Sequence, residues 1–394
     1  MLKSSLINRS GPFRPIGTPV LDIRINEQKV KNWISFRVEL NGLGAVDSFD
    51  VTLPWEVTDE TPVDPLLFSG PKKAATLVKG GANIKISAGF KEEGALSPLI
   101  EGPMDRPVWD FDAEQGEVVT VYGRSYGAKP FDYKETVKYQ NHTSTAAFKA
   151  IAKKHGLTPV VPVETHTLIG SYSKEDHVNV KREVSHWDFV LYLCQQEGFT
   201  TRVWGKSWFF GPREKLPGYL KPPIPFTWGH NIDRPFRIER APNAARNLIV
   251  EVISWIPGKP KPPKRTKKGK PITKPAKGEA KGQRIVEKAS FVGSSFGHKY
   301  TMRYYFPNLT RDQCQRKARA ILQQLSSMQL YGSFRTDWWP ELANDRRIAL
   351  FGVGQTLSQV YFCPKIIITG SKTEGIRTEI TFTNLPLEEE GRFG

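Results

Sequence analysis

Gly123-Arg124-Ser125-Tyr126-Gly127 fits G-x-S-x-G, the sharp turn that exposes a serine nucleophile above a parallel sheet in α/β-hydrolases. That chemistry needs a strand before the serine and a helix straight after it. The run EVVTVY supplies the strand, but Pro130 follows at once, and the next helical pattern begins near residue 143. The spacing therefore predicts a turn leaving a barrel strand. Asp105, Asp110 and Asp112 form an acidic group that could serve a glycosidase, which needs two carboxyls flanking one bond. They are read as lying near a strand-turn-strand, where Asp is common for its turn chemistry.

Metal spacing is absent from the sequence. There is no H-E-x-x-H and no C-x-x-C, and His142, His155, His166 and His177 fall on separate elements. No P-loop and no G-x-G-x-x-G is present, so no cofactor is expected. Three cysteines, Cys194, Cys314 and Cys363, are too few and too far apart for a disulfide framework. Thiols kept in a reducing compartment are the simplest expectation. Asn141-His142-Thr143 and Asn308-Leu309-Thr310 match the glycosylation sequon, but both threonines are better explained as helix caps.

The net charge of +17 raises nucleic acid as a partner, and its distribution decides the weight of that idea. Residues 256–284 hold eleven Lys and Arg against Glu279, a local net of +10, so the other 365 residues carry only +7. This proline-rich stretch has almost no apolar residues to bury and reads as an extended, self-repelling insertion. Lys261, Lys264, Arg265, Lys267, Lys268 and Lys270 are its candidates for contact with an anion such as a phosphate backbone. The alternative is a solvated loop with no dedicated ligand.

The elements around these residues are mostly strands. The chain has 394 residues, two or three domains at roughly 150 residues each. Its 33 Gly and 30 Pro leave little room for long helices, and its 22 Phe, 12 Tyr and 10 Trp suit pleated, half-buried surfaces. An all-α fold and a regular βαβ array are excluded. No apolar run approaches the ~18 residues of a membrane span, and MLKSSLINRSGPFRP has no apolar core of a signal peptide. LDIRIN, WISFRVEL, SFDVTLPW, NIKISAGF, SPLIEG and EVVTVYG alternate apolar and polar residues between turn signals, which predicts a small antiparallel barrel or sandwich.

Two short helices should follow. Thr143 or Ser144 caps the first, which puts Phe148, Ile151 and Ala152 on one face and is closed by Gly156. Ser185 opens the second with Asp188 in a capping-box position, and Gly198 ends it. TTRVWG and SWFFGP then form a hairpin through Gly205-Lys206. Strand character resumes in RIERAPNAARNLIVEVISW, breaks at the basic insertion, and continues in EKASFVGSS and KYTMRYYFP, so the insertion is an enlarged hairpin loop. Thr310 with Gln313 caps a helix whose stripe is Cys314, Ala318, Ile321, Leu322 and Leu325. The last strands are RIALFG, VYFCPKIIITGS and TEITFTN, and Trp338-Trp339-Pro340 reads as a packed core corner.

The segment SHWDFVLYLCQQEGFTTRVWGKSWFFGP resembles the most recognisable stretch of phage tail hub proteins: the late-control D proteins, the Mu-type baseplate hub and the N-terminal part of the VgrG spike of type VI secretion. The match rests on Ser185, Trp187, Asp188, Phe189, Leu193, Glu197, Gly198 and Phe199. The opening β-block, the strand ending in Tyr122-Gly123-Arg124-Ser125-Tyr126 and the closing segment are similar to the same family. In outline the resemblance spans most of residues 18–386.

It implies a mainly β fold with an α+β insert: two small antiparallel β-barrel domains related by pseudo-symmetry, plus an α+β domain. The expected division is an extension at 1–17, a first barrel at 18–133, the α+β domain at 134–235, and a second barrel at 236–386 with a helix at 310–331. A tail follows at 387–394. The resemblance also implies a non-enzymatic baseplate part, a homotrimer that adapts a six-fold tail tube to a three-fold spike. Its implied partners are further copies of itself, a tail tube or distal tail protein, a central spike protein, and tape-measure protein or DNA near the lumen. It implies a place in the virion tail after assembly in the host cytoplasm. The chain departs from the family in stopping at Gly394 with no spike helix or lysozyme domain, so those parts, where present, are expected on separate proteins. The basic insertion is a departure from the family pattern. Two other classes stay open: a cell-wall hydrolase or esterase using Ser125 or the acidic cluster, and a basic nucleic-acid-binding protein acting through 256–284.

Overall fold

Alternation along the chain decides which side of each strand is buried. Ser35–Asn41 buries Phe36, Val38 and Leu40, and Ser48–Pro54 buries Phe49, Val51 and Leu53, each of these side chains contributing about 1.5–3 kcal/mol by leaving water. The computed structural model describes residues 19–385 except 31–32, 43, 55, 59–60, 64–81, 93, 95, 113–115, 136–138, 140–141, 167–183, 241–247, 257–282, 291–299, 307–308, 327–328, 344 and 372–374.

The first strands are β1 (Pro19–Ile25), β2 (Gln28–Lys29), β3 (Ser35–Asn41), β4 (Ser48–Pro54), the short pair β5 (Glu56–Thr58) and β6 (Thr61–Val63), β7 (Asn83–Phe90), β8 (Leu96–Asp112) and β9 (Gly116–Arg124). The middle of the chain holds α1 (Ala128–Asp132), β10 (Lys134–Glu135), α2 (Ser144–Lys154), β11 (Thr158–Val160), β12 (Val184–Ser185), α3 (His186–Glu197), β13 (Thr200–Trp204) and β14 (Ser207–Gly211). Then come β15 (Ile224–Thr227), β16 (Asp233–Arg240), β17 (Leu248–Ile256), β18 (Gln283–Ser290), β19 (Tyr300–Tyr305) and α4 (Arg311–Ser326). The chain closes with β20 (Leu330–Asp337), β21 (Arg347–Phe351), β22 (Val360–Ser371) and β23 (Gly375–Asn384).

One 13-stranded sheet runs through both ends of the chain, in the order β16-β20-β23-β22-β3-β4-β9-β8-β7-β1-β2, with β21 beside β22 and β15 beside β21. Its two halves repeat one strand order. The first reads β1-β7-β8-β9-β4-β3 and the second β15-β21-β22-β23-β20-β16, so corresponding strands also follow one another identically along the chain. One pairing differs: β1 is antiparallel to β7, whereas β15 is parallel to β21. The repeat is invisible in the residues because a sheet requires only alternation, which many side chains satisfy.

The halves join where β3 pairs antiparallel with β22, from Ser35 opposite Ser371 to Asn41 opposite Lys365. One apolar core continues across the joint, with Phe36 and Val38 beside Ile366 and Ile368. Gly370 lies against the Phe36 ring, and a Cβ there would sit 2.3 Å from a ring carbon, so this crossing requires glycine.

SPLIEG is only the start of a strand. β8 extends 17 residues, through Pro103 and Pro107. Each partner covers only half of it, β7 as far as Pro103 and β9 from Met104 onward, so a missing N–H breaks no continuous double ladder.

β17 pairs antiparallel with β18 and parallel with β19 in a separate three-stranded sheet, against which α4 packs Cys314, Ala318 and Leu322. Ile256 lies opposite Gln283, so the strands flanking the basic insertion pair antiparallel with each other, as its flanks predict, and the insertion itself lies outside the described residues. Helix α4 stops at Ser326, short of residue 331, because Leu330 and Tyr331 already belong to β20. Trp338 is buried as a core corner, as expected. Among the described residues no helix is long and apolar enough to cross a membrane.

Candidate functional site

Helix α3 forms where its caps predict. Ser185 Oγ accepts the Asp188 N–H at 3.0 Å and donates to the Asp188 carboxylate at 2.7 Å, while Gly198 closes the helix at φ +72°. Trp187 is 2% exposed, stacks on Trp208 at 5.7 Å, and donates its indole N–H to the Gly44 carbonyl at 2.9 Å. Leu193 is fully buried beside it, Phe189 stacks on Tyr139, and Phe199 meets Phe210 edge to face. Glu197 accepts from Ser144 Oγ at 2.7 Å and from Arg316 at 3.0 Å, joining α2 and α4 to the end of α3. The structure thus brings the motif residues together at a junction. Trp187 ties the insert to the loop between β3 and β4, and Glu197 ties it to α4.

A second junction was not legible in the sequence. Arg202 on β13 pairs with Asp345 at 2.9 Å, and Asp345 also accepts the Gly218 N–H at 2.9 Å. A Cβ on Gly218 would overlap that carboxylate. Asp47, buried just before β4, accepts the Asn41 N–H at 2.6 Å and feels the same guanidinium. Burial pushes Asp47 up to about 7. Positions 47, 202 and 345 lie in a connection of the first half-sheet, in the insert and in a connection of the second half-sheet, so no local spacing could announce them.

The histidines are less scattered than the sequence suggests. His155 Nε2 lies 2.7 Å from His186 Nδ1, and His186 Nε2 lies 2.7 Å from Glu135. Lys154 holds Glu135 below the usual carboxylate range, while burial, His186 and Lys154 push His155 down to about 4. An ionised Glu135 accepts the hydrogen bond of the His186 Nε2–H, which leaves Nδ1 to accept from the Nε2–H of His155. This chain ties β10 and the end of α2 to the start of α3. Among the described residues no group of three His, Cys, Asp or Glu side chains is arranged to hold a metal ion.

Around Ser125 the structure corrects one expectation. Helix α1 begins at Ala128, directly after the G-x-S-x-G turn, because Pro130 sits in its first turn, where a missing N–H costs nothing. The rest of the elbow is not there. β9 runs between antiparallel neighbours, Ser125 is 3% exposed, and it is not among the positive-φ residues. The acidic group is also placed differently: Asp105, Asp110 and Asp112 lie along the single strand β8, not around a turn. At ~3.4 Å per residue, roughly 17 Å separates Asp105 from Asp110, too far for a glycosidase pair. Both Asp105 oxygens accept from Arg124, which also grips Asp132. Asp105 and Arg124 border a shallow groove of about 290 Å³ whose other walls include Arg37, Glu39 and Asp50. Lys261, Lys264, Arg265, Lys267, Lys268 and Lys270 lie outside the described residues, as does His177.

The sequence matches no protein-family model and no curated protein. Solved structures do match. The chain is similar to the 43 kDa tail protein of prophage MuSo2 from Shewanella oneidensis, at 13% identity and a TM-score of 0.64, covering 93% of this chain and 98% of that one. A tail protein from Neisseria meningitidis MC58 matches at 12% identity and a TM-score of 0.61, covering 93% and 96%. An E. coli component of the type VI secretion system, itself similar to the T4 tail proteins gp27 and gp5, matches at 8% identity and a TM-score of 0.53, covering 92% and 76%. At such identities the fold is what is shared: this chain has the mainly β fold of these phage tail and type VI secretion proteins, as the hub resemblance implies.

Proposed function

We propose that this chain is a structural, non-enzymatic baseplate hub of a phage tail or a related injection system. Three copies form a ring of six half-sheets, one face matching a six-fold tube and the other a three-fold spike. The observation that carries this reading is the strand order repeated within one sheet, because a chain with two equivalent halves supplies two ring positions. The fold shared with tail proteins supports the same reading. Tube or distal tail protein, spike, and tape-measure protein or DNA in the lumen are the partners such a ring would meet. Native mass measurement of the assembled particle should give three copies of this chain. A tail map with six copies around the axis would overturn the ring.

The antiparallel setting of Ser125 supports the absence of a serine hydrolase. A fluorophosphonate probe should leave the protein unlabelled, and Ser125→Ala should assemble like wild type. Labelling that is lost in Ser125→Ala would restore the hydrolase alternative.

A further inference from the structure

The small sheet β18-β17-β19 has two unlike faces. Helix α4 packs on one, against Leu248, Val250, Val252 and Ala289. Alternation turns the residues between these to the opposite face. Register puts three cations there, Arg284 and Lys288 on β18 and Arg303 on β19, against a single carboxylate, Glu251 on β17. Ion pairs agree with that placement: Glu251 accepts from Arg303 at 2.8 Å and lies 3.5 Å from Lys288. Glu287, the neighbour of Lys288, turns the other way and pairs with Arg311 of α4.

The same face carries two aromatic side chains that sheet packing does not use. Trp255, opposite Arg284, is 55% exposed, and Tyr305 is 70% exposed. Tyr305 stands beside Ile253 on the neighbouring strand, and Trp255 is two residues further along β17. At ~4.8 Å between strands and ~3.3 Å per residue, the two positions are roughly 8 Å apart. The chain also enters and leaves its most basic run at this end. β17 stops at Ile256 and β18 starts at Gln283, and between them the sequence has ten Lys and Arg against Glu279.

We propose that this face binds an unpaired stretch of nucleic acid, with one base on Trp255, the next on Tyr305, and phosphates met by Arg284, Lys288 and Arg303. A helix-backed sheet that shows aromatic rings among cations suits this ligand, because bases stack on the rings while the cations follow the backbone. Spacing selects the unpaired form. Successive nucleotides of one duplex strand are ~3.4 Å apart, so neighbouring bases reach both rings only when splayed. Every base has a π-face, so the site tolerates any sequence. An acidic peptide would satisfy the cations but offers no flat surface to the two rings. The proposal stands apart from the ring, since this sheet is separate from the 13-stranded one.

Fluorescence anisotropy of a fluorescein-labelled oligothymidylate, titrated with the full chain at low salt, tests it. Wild type should bind. Trp255→Ala and Tyr305→Ala should each weaken binding roughly tenfold, while Trp255→Phe and Tyr305→Phe, which keep a ring, should bind like wild type. Arg284→Gln should reduce the slope of log affinity against log salt by about 0.7, the loss of one phosphate contact to a single strand. Alanine variants that bind as tightly as wild type would show that charge alone does the binding, and would overturn the platform. So would a duplex of the same length, or polyglutamate, that displaces the probe as well as unlabelled oligothymidylate does. No binding by wild type would overturn the proposal outright. None of these results bears on the copy number in the particle, so this site and the ring stand or fall separately.

Discussion

Replacing Arg202 by methionine should cost about 3–5 kcal/mol of folding stability, because it strands buried carboxylates that the guanidinium now serves. Asp345 loses a 2.9 Å ion pair, and Asp47 loses the charge that opposes the effect of its burial. The loss should depend on pH with a definite sign. Asp47 titrates near 3.8 when unfolded and near 7 when folded, so its contribution is full below 3.8 and fades as pH rises through 7. Without Arg202 its folded value climbs further, and the fading continues at higher pH. Thermal unfolding should therefore separate wild type from Arg202→Met more at pH 8.5 than at pH 5. Adding Asp345→Asn should recover part of the loss. An equal loss at both pH values would show that the variant fails through packing and not through stranded charge.

Trp187→Ala should cost a similar ~3–5 kcal/mol, the usual range for emptying a buried tryptophan site. The cavity would open between Trp208 and the loop carrying Gly44, where the insert meets the first half-sheet. Trp187→Phe keeps the stacking and loses the indole N–H, so about 1–3 kcal/mol should go with the unsatisfied Gly44 carbonyl. Urea midpoints of the two variants measure both. A Trp187→Ala midpoint close to that of wild type would show that the motif tryptophan does not hold this junction.

Local features were legible in the sequence. Alternation marks β3, β4, β7 and β9, and the pairs Ser185/Asp188 and Thr310/Gln313 place two helix starts because a cap bonds within three residues of itself. Gly205-Lys206 fixes a hairpin for the same local reason. The eight motif residues from Ser185 to Phe199 pointed to the tail-protein fold. Wherever a neighbour overrides local preference the sequence misleads: Pro103 and Pro107 lie inside β8 because its partners change there, and Pro130 lies inside α1 because a first turn needs no N–H from it. Only the tertiary structure joins β3 to β22, seats Arg202 between Asp47 and Asp345, and brings His155 to His186. These contacts link residues from 31 to more than 300 positions apart, and no local pattern encodes which distant partner a strand edge or a buried charge will meet. The repeated strand order is likewise a property of pairing: backbone N–H and C=O groups make the ladder whatever the side chains, so two halves can share a topology and keep no residues in common.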